Sequence, residues 1–161
     1  MRSQGVPLST QTSSRIDTEP FALFLRAHAA VVRELSAELE AEHGLTINDY
    51  EVLLRLARAP DRLMRRVDLA QQVVLTPSGI TRLLEGLERA GYVDRAVCAS
   101  DARVKYAHLT DAGHDKLRAA AKTHVAGIER LFLGRFDESE RAQLSEFLRR
   151  LGESGGDCAP E

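Results

Sequence analysis

Most of the chain carries apolar residues at the spacing of three and four that is typical of amphipathic helices. A first helix is predicted from Glu19 to Gly44, with its apolar stripe at Phe21, Phe24, Leu25, His28, Val31, Val32, Leu35 and Leu39. Thr46 and Asp49 form a capping-box signal that begins a second helix, and Pro60 ends it. The N-terminal third of the fold is therefore predicted to be two helices.

Two shorter helices are predicted next, with very little chain between them. Residues after Arg65 suggest a third helix with apolar positions at Val67, Ala70, Val73 and Val74. Thr76-Pro77 is a second start signal, because threonine caps free amides and proline is favoured at the first helical position. The fourth helix that follows buries Ile80, Leu83, Leu84 and Leu87, and Gly91 closes it.

The period changes between Tyr92 and Leu109, where short β-prone runs flank a polar stretch, Ala99 to Ala102. This pattern predicts a small hairpin. Thr110 then caps a long fifth helix, and Asp137 with Glu140 begins a sixth that ends at Gly152. The predicted fold class is mainly α, with six helices and a β-hairpin wing.

These patterns divide the chain into segments: an N-terminal arm at 1–18, disordered or loosely docked, a long helix at 19–45, a head with the shorter helices and the hairpin at 46–109, two further helices at 110–152 and a flexible tail at 153–161. The first, fifth and sixth helices have apolar stripes of their own. They either pack on each other within one chain or are buried in a two-fold dimer, and we favour the dimer because such dimers are common.

Composition and charge narrow the function further. With 161 residues and 43% hydrophobic content the chain suits one globular domain, and its net charge of −2 gives no overall signal for nucleic acid. The segment 60–109 is nevertheless +2, so the remainder is −4. Because no signal peptide or long apolar run is found, and Cys98 and Cys158 have no metal-ligand spacing, we expect a protein of a reducing cytosol.

The third and fourth helices fit a helix-turn-helix, in which the second helix enters the major groove of DNA. Opposite its buried stripe, the fourth helix presents Ser78, Thr81 and Arg82, with Thr76 and Pro77 at the tip. The small residues Ser78 and Gly79 would let the backbone approach DNA closely. The competing interpretation is an ordinary amphipathic helix with a solvated polar face.

The hairpin favours the DNA-binding interpretation. Arg103 is the candidate for an adjacent minor groove, where the negative potential attracts arginine, and Asp101 could orient its guanidinium. The competing interpretation for Asp101 is simple turn chemistry. Further candidates for contacts with DNA are basic residues at either side of the head: Arg65, Arg95 and Lys105.

The head resembles the MarR family of bacterial regulators in motifs that run in order: Asp68-Leu69-Ala70, Thr76 to Leu84, Leu87 to Arg95, Asp101-Ala102-Arg103 and Leu109 to Gly113. The resemblance implies a triangular homodimer whose two winged heads bind a pseudo-palindrome. It implies that Ser78, Thr81 and Arg82 face the major groove and that Arg103 reaches the minor groove. It also implies an effector pocket between the dimer helices and the head, near His28 and Tyr50.

The sequence gives little support for redox sensing, metal binding or catalysis. No cysteine precedes Cys98, so a peroxide switch of the kind that the resemblance would allow is not expected. His43, His108 and His114 lack the helical spacing of a metal site, no cofactor is predicted, and no catalytic motif is found. The sequence predicts a cytosolic, nucleoid-associated repressor that responds to a small molecule; the alternative is a helical protein-interaction module without affinity for DNA.

Overall fold

A computed structural model describes residues 17–73, 75–97 and 104–153. Within these residues the chain forms six α-helices and three strands. The number of α-helices agrees with the predicted fold class. The helices are α1 Glu19–His43, α2 Ile47–Arg58, α3 Arg66–Gln72, α4 Pro77–Arg89, α5 Asp111–Leu131 and α6 Glu138–Glu153. The strands are β1 Leu63–Arg65, β2 Val93–Val97 and β3 Lys105–Leu109, and short 3₁₀ turns lie at Pro60–Arg62 and Leu133–Arg135.

The predicted helix ends are confirmed where the signal is a specific cap. The backbone N–H of Asp49 donates to the Thr46 hydroxyl at 3.1 Å, and the Asp49 carboxylate accepts from the Thr46 N–H at 2.9 Å. Asp137 and Glu140 make the same reciprocal pair at the start of α6, both at 2.9 Å. Gly44 ends α1 in the left-handed region at φ 63°, which glycine adopts without steric strain.

The sheet contains one strand more than the sequence predicted. β2 and β3 form the expected antiparallel hairpin, in which Val93 pairs with Leu109, and β1 joins the other edge of β3, giving the order β1-β3-β2. β1 has three residues, too few to show an alternating pattern, and its partner lies more than forty residues further along the chain. We call β2 and β3, with the residues that connect them, the wing.

One hydrophobic core joins the head to the long helices. Its fully buried side chains come from α1, α2, α3, α4 and the sheet: Leu39, Val52, Leu53, Leu56, Leu69, Leu84, Val93 and Leu109. Leu117 and Ala120 of α5 belong to the same cluster. The start of α5 and the end of α1 therefore share one core with the head.

Two helices differ from the sequence prediction in detail. On α3 the predicted core residue Val67 is 63% exposed, and Leu69 is buried in its place. A helix of seven residues makes two turns, so its periodicity fits more than one face, and the neighbouring elements decide which is buried. α6 continues through the predicted stop at Gly152 to Glu153, because a glycine lowers helix stability by only about 1 kcal/mol. Val74 lies outside the described residues.

The outer surfaces of α1, α5 and α6 carry large apolar side chains that the described part of the chain leaves exposed. The more exposed of these are Phe21, Leu23, Phe24, Leu25, Val125, Phe147 and Leu151. No helix in the described part of the chain is both long and apolar enough to span a membrane.

Candidate nucleic-acid interface

The N-terminus of α4 is held by Thr76. Its hydroxyl accepts a hydrogen bond from the Gly79 N–H at 3.1 Å and lies 3.2 Å from the Ser78 hydroxyl. Gly79 has a structural reason for lacking a side chain, since a Cβ there would stand 3.1 Å from the Thr76 hydroxyl. Pro77 occupies the first turn, as expected from the sequence. The cap therefore fixes where the helix begins.

α4 has one buried face and one polar face. Ile80, Leu84 and Leu87 are buried, whereas Leu83 is half-buried. On the opposite side the predicted contact residues Ser78, Thr81 and Arg82 are all exposed. Among the described residues, no ion pair engages Arg82. The structure thus brings three hydrogen-bonding side chains together on two consecutive turns of an exposed helix.

Arg65 is placed beside the head but is already paired. Its guanidinium donates to both oxygens of Asp68, at 2.7 and 3.0 Å, and this hydrogen bond raises the pKa of Arg65. The pair leaves the remaining N–H groups of Arg65 on a half-exposed side chain. Because a guanidinium has five N–H donors, the pair does not use up its capacity.

Arg95 is also paired, in this case to a residue that sequence reasoning missed. Glu88, near the end of α4, accepts from Arg95 of β2 at 2.5 Å through one oxygen and from Arg66 of α3 at 3.0 Å through the other. A sequence signal was available, because Glu88 follows the buried Leu84 by four residues and so lies on the edge of the buried stripe. The carboxylate and the Arg66 guanidinium are largely shielded, each 14% exposed.

The base of the wing lies across a cleft from α4. Lys105 is exposed at the start of β3 and pairs with Val97 in the ladder. The cleft has a volume of about 610 Å³, and Arg65, Arg66, Thr81 and Lys105 are among its lining residues. Asp101 and Arg103, predicted for the wing tip, lie outside the described residues, as do Cys98 and Cys158.

Below the head, His124 of α5 is buried against Tyr50 of α2, with ring centroids 4.4 Å apart. Burial lowers the pKa of His124, which the nearby Glu51 carboxylate partly offsets, and burial also raises the pKa of Tyr50. His28 instead lines an apolar groove between α1, α5 and α6, and Tyr50 is not among the lining residues of that groove. The structure does not bring His28 and Tyr50 together around one cavity.

His43 packs at the junction of α1 and α5, where its Nε2 is 2.8 Å from the Thr123 hydroxyl. Within the described part of the chain, no group of three or more histidine, cysteine or acidic side chains is arranged to hold a metal ion.

The sequence of this chain is similar to those of known proteins of one family. Residues 43–104 match the model of the MarR family. The HTH-type transcriptional regulator YkoM of Bacillus subtilis is 32% identical over 133 residues, which span 82% of this chain and 83% of the relative. The chain belongs to the MarR family. This MarR-family chain is a transcriptional regulator, as its relatives are, and the family is not one of enzymes.

Solved structures of MarR-family regulators from Streptomyces coelicolor share its fold. AbsC is 31% identical with a TM-score of 0.78, and the match covers 89% of this chain and 97% of AbsC. Sco3205, solved in complex with DNA, is 28% identical with a TM-score of 0.80, and the match covers 86% of this chain and 90% of Sco3205. The predicted winged helix-turn-helix fold is confirmed.

Proposed function

We propose that this MarR-family chain is a repressor that binds a pseudo-palindromic operator as a homodimer. The observation that carries the proposal is the polar outer face of α4, where Ser78, Thr81 and Arg82 stand exposed opposite a fully packed inner face. Side chains of these types donate to base edges and phosphates in the major groove. Sco3205, a relative with the same fold, was solved in complex with DNA, which supports binding to DNA.

The residues around α4 would hold the backbone of the duplex. Lys105 and the outer N–H groups of Arg65 and Arg95 would contact phosphates, because all three side chains are basic and exposed on the head. Thr76, Pro77 and Gly79 would position the tip of the helix. Arg103, oriented by Asp101, would enter the minor groove, as the resemblance of the wing motif implies.

Dimerisation through α1, α5 and α6 is part of the proposal. Its support is the apolar surface of these helices, on which Phe21, Val125 and Leu151 are each more than 60% exposed in the single chain. Exposed apolar patches of this kind mark interaction surfaces. Two copies related by a two-fold axis would cover them and place two heads on one side, with half-sites about 10 base pairs apart.

Regulation completes the proposal. A small-molecule effector would bind between the dimer helices and the head and move the two heads out of register with the half-sites. The continuous core from Leu39 and Leu117 into the head supports such a coupling, because it connects the long helices to α4 without a flexible linker. The protein would act in the cytosol, on chromosomal DNA.

The test is a mobility-shift titration of the full chain on the promoter beside its own gene, across a salt series. We expect sequence-dependent binding whose affinity falls steeply with salt, because contacts to phosphates release counterions. A chain that shifts neither the promoter nor unrelated duplexes, even at low salt, would overturn the proposal. That result would favour the protein-interaction module.

A further inference from the structure

Glu88 joins three separate elements of the head. It lies near the end of α4, and its two carboxylate oxygens accept from Arg66, the first residue of α3, at 3.0 Å and from Arg95, in β2, at 2.5 Å. Each oxygen serves one guanidinium. Glu146 of α6 is also paired with two arginines, Arg149 and Arg150, but both of these lie on its own helix, whereas Glu88 connects separate elements.

The two ion pairs of Glu88 differ in their exposure to solvent. Arg66 and Glu88 are both 14% exposed, so this pair is shielded from solvent, whereas Arg95 is 61% exposed. The Nε of Arg66 is buried and has no hydrogen-bond partner among the described residues. The orientation of Arg66 therefore depends on Glu88, since removing one partner of a shielded pair leaves the other charge uncompensated.

The position of Glu88 matters because α4 and β2 lead to different grooves of DNA under the proposed function. The chain turns from α4 into β2 through Ala90, Gly91 and Tyr92, and Gly91 has a φ of 74°. Backbone hydrogen bonds, such as the one from the Tyr92 N–H to the Leu87 carbonyl at 2.9 Å, stabilise this turn. The bridge from Glu88 to Arg95 extends this connection two residues into the wing.

We propose that Glu88 is a positioning residue for DNA recognition: through Arg95 and Arg66 it fixes the wing relative to α3 and α4. The proposal rests on the proposed function, because it states that Glu88 controls the spacing of the two surfaces that would contact DNA, the wing and α4. Glu88 itself contacts no DNA. Its effect is greatest on duplexes where the wing and α4 must bind together.

The experiment compares the full-length wild type with Glu88→Gln and with Glu85→Gln. Glutamine keeps the shape of Glu88 but removes the charge that holds two guanidinium groups. Glu85 is an exposed residue on the same helix, so its substitution changes the net charge equally and serves as the matched control. Amide hydrogen exchange is measured without DNA, and affinity is measured on one operator core with A-tract or G·C-rich flanks.

For Glu88→Gln we expect about tenfold faster exchange in β2 and β3, with α2 and α5 unchanged, because the tie between α4 and β2 is lost. Its affinity for the A-tract duplex should fall about tenfold, and the preference for A-tract flanks should decrease. Glu85→Gln should keep wild-type exchange in β2 and β3 and the wild-type ratio of affinities for the two flanks, even if its lost negative charge raises affinity for both duplexes. Arg95→Met, which leaves the Arg66–Glu88 pair in place, should reproduce the loss of flank preference if Glu88→Gln folds poorly.

Unchanged exchange in β2 and β3 of both Glu88→Gln and Arg95→Met would overturn the proposal. Faster exchange with an unaltered flank preference would also overturn it, since Glu88 would then stabilise the head without positioning the wing. If the wild type binds no duplex, the proposed function fails, and the exchange data still show separately whether Glu88 holds the wing.

Discussion

Gly113, in the first turn of α5, packs directly on the backbone of Tyr92. A Cβ at Gly113 would overlap the carbonyl oxygen of Tyr92 and would lie 2.8 Å from Cδ1 of Leu109. Thr110, three residues before Gly113, strengthens the junction, since its N–H donates to the same carbonyl at 3.2 Å and its hydroxyl donates to the Gly91 carbonyl at 2.8 Å. The long helix α5 and the entry to the wing are therefore in backbone contact.

Gly113→Ala should lower the free energy of unfolding by about 2–3 kcal/mol, because the new methyl group meets backbone that cannot rotate away. Gly86→Ala is the matched control. Gly86 lies within α4, and a Cβ there has no atom within 4 Å, so this change should raise stability by about 0.5–1 kcal/mol. Urea unfolding measures both. Equal stability of the two variants would contradict the close packing at Gly113.

Substitutions of Thr76 can distinguish its role as the cap of α4 from its proposed role in binding DNA. Thr76→Asp keeps a side chain that accepts from the Gly79 N–H, so stability should stay within about 0.5 kcal/mol of wild type. It places a negative charge at the tip of α4, where phosphates would approach, so affinity for DNA should fall steeply. Thr76→Ala should lower stability by about 1 kcal/mol. Wild-type affinity in Thr76→Asp would show that the tip lies away from DNA.

Cap and period signals explain how much of this fold could be predicted. The starts of α2 and α6 follow from reciprocal hydrogen bonds between residues three apart, which a local sequence can specify. β1 could not be found this way, because its three residues are a strand only through pairing with β3. The buried face of α3 was predicted wrongly for the same reason, because contacts with α2 and α4 determine which side of the helix is buried.

The candidate site shows the same division between local and distant information. Ser78, Thr81 and Arg82 could be placed on one exposed face because α4 is long enough for its period to be unambiguous. The pairing of Arg95 with Glu88 was missed, because it depends on how β2 folds back along α4. From the sequence, Arg95 was only a candidate for contact with DNA, and no partner was assigned to it.

Arg82 should contribute to base preference. Arg82→Ala should weaken operator binding by about 1–3 kcal/mol and relax the preference at one base pair of each half-site. Arg118→Ala is the control, since Arg118 is a similarly exposed arginine that lies on α5. Binding to a library of half-site variants separates the possibilities. A loss that is uniform across all sequences would show that Arg82 contacts a phosphate and no base.

His124 should make stability depend on pH. Burial lowers its pKa in the folded chain below the ordinary value of about 6.5, so the unfolded chain binds more protons between these two pKa values. The stabilisation is complete above about pH 6.5 and is lost as the pH falls toward the folded-state pKa. Unfolding between pH 7.5 and 5.5 should show this loss in wild type and a smaller one in His124→Phe. An identical slope in the variant would assign the pH dependence to other groups.

Leu151 of α6 provides the sharpest test of the dimer. It is 68% exposed in the single chain, so Leu151→Glu should leave the monomer fold intact, whereas a two-fold interface would bury the substitution twice. We expect the dimer dissociation constant to rise at least about a hundredfold in sedimentation measurements. Val67→Glu is the control, because Val67 is 63% exposed on α3 of the head and should leave the oligomeric state unchanged. Because the proposed operator has two half-sites, Leu151→Glu should also bind a full operator no more tightly than one half-site. A Leu151→Glu protein that stays dimeric would move the interface away from the C-terminal end of α6.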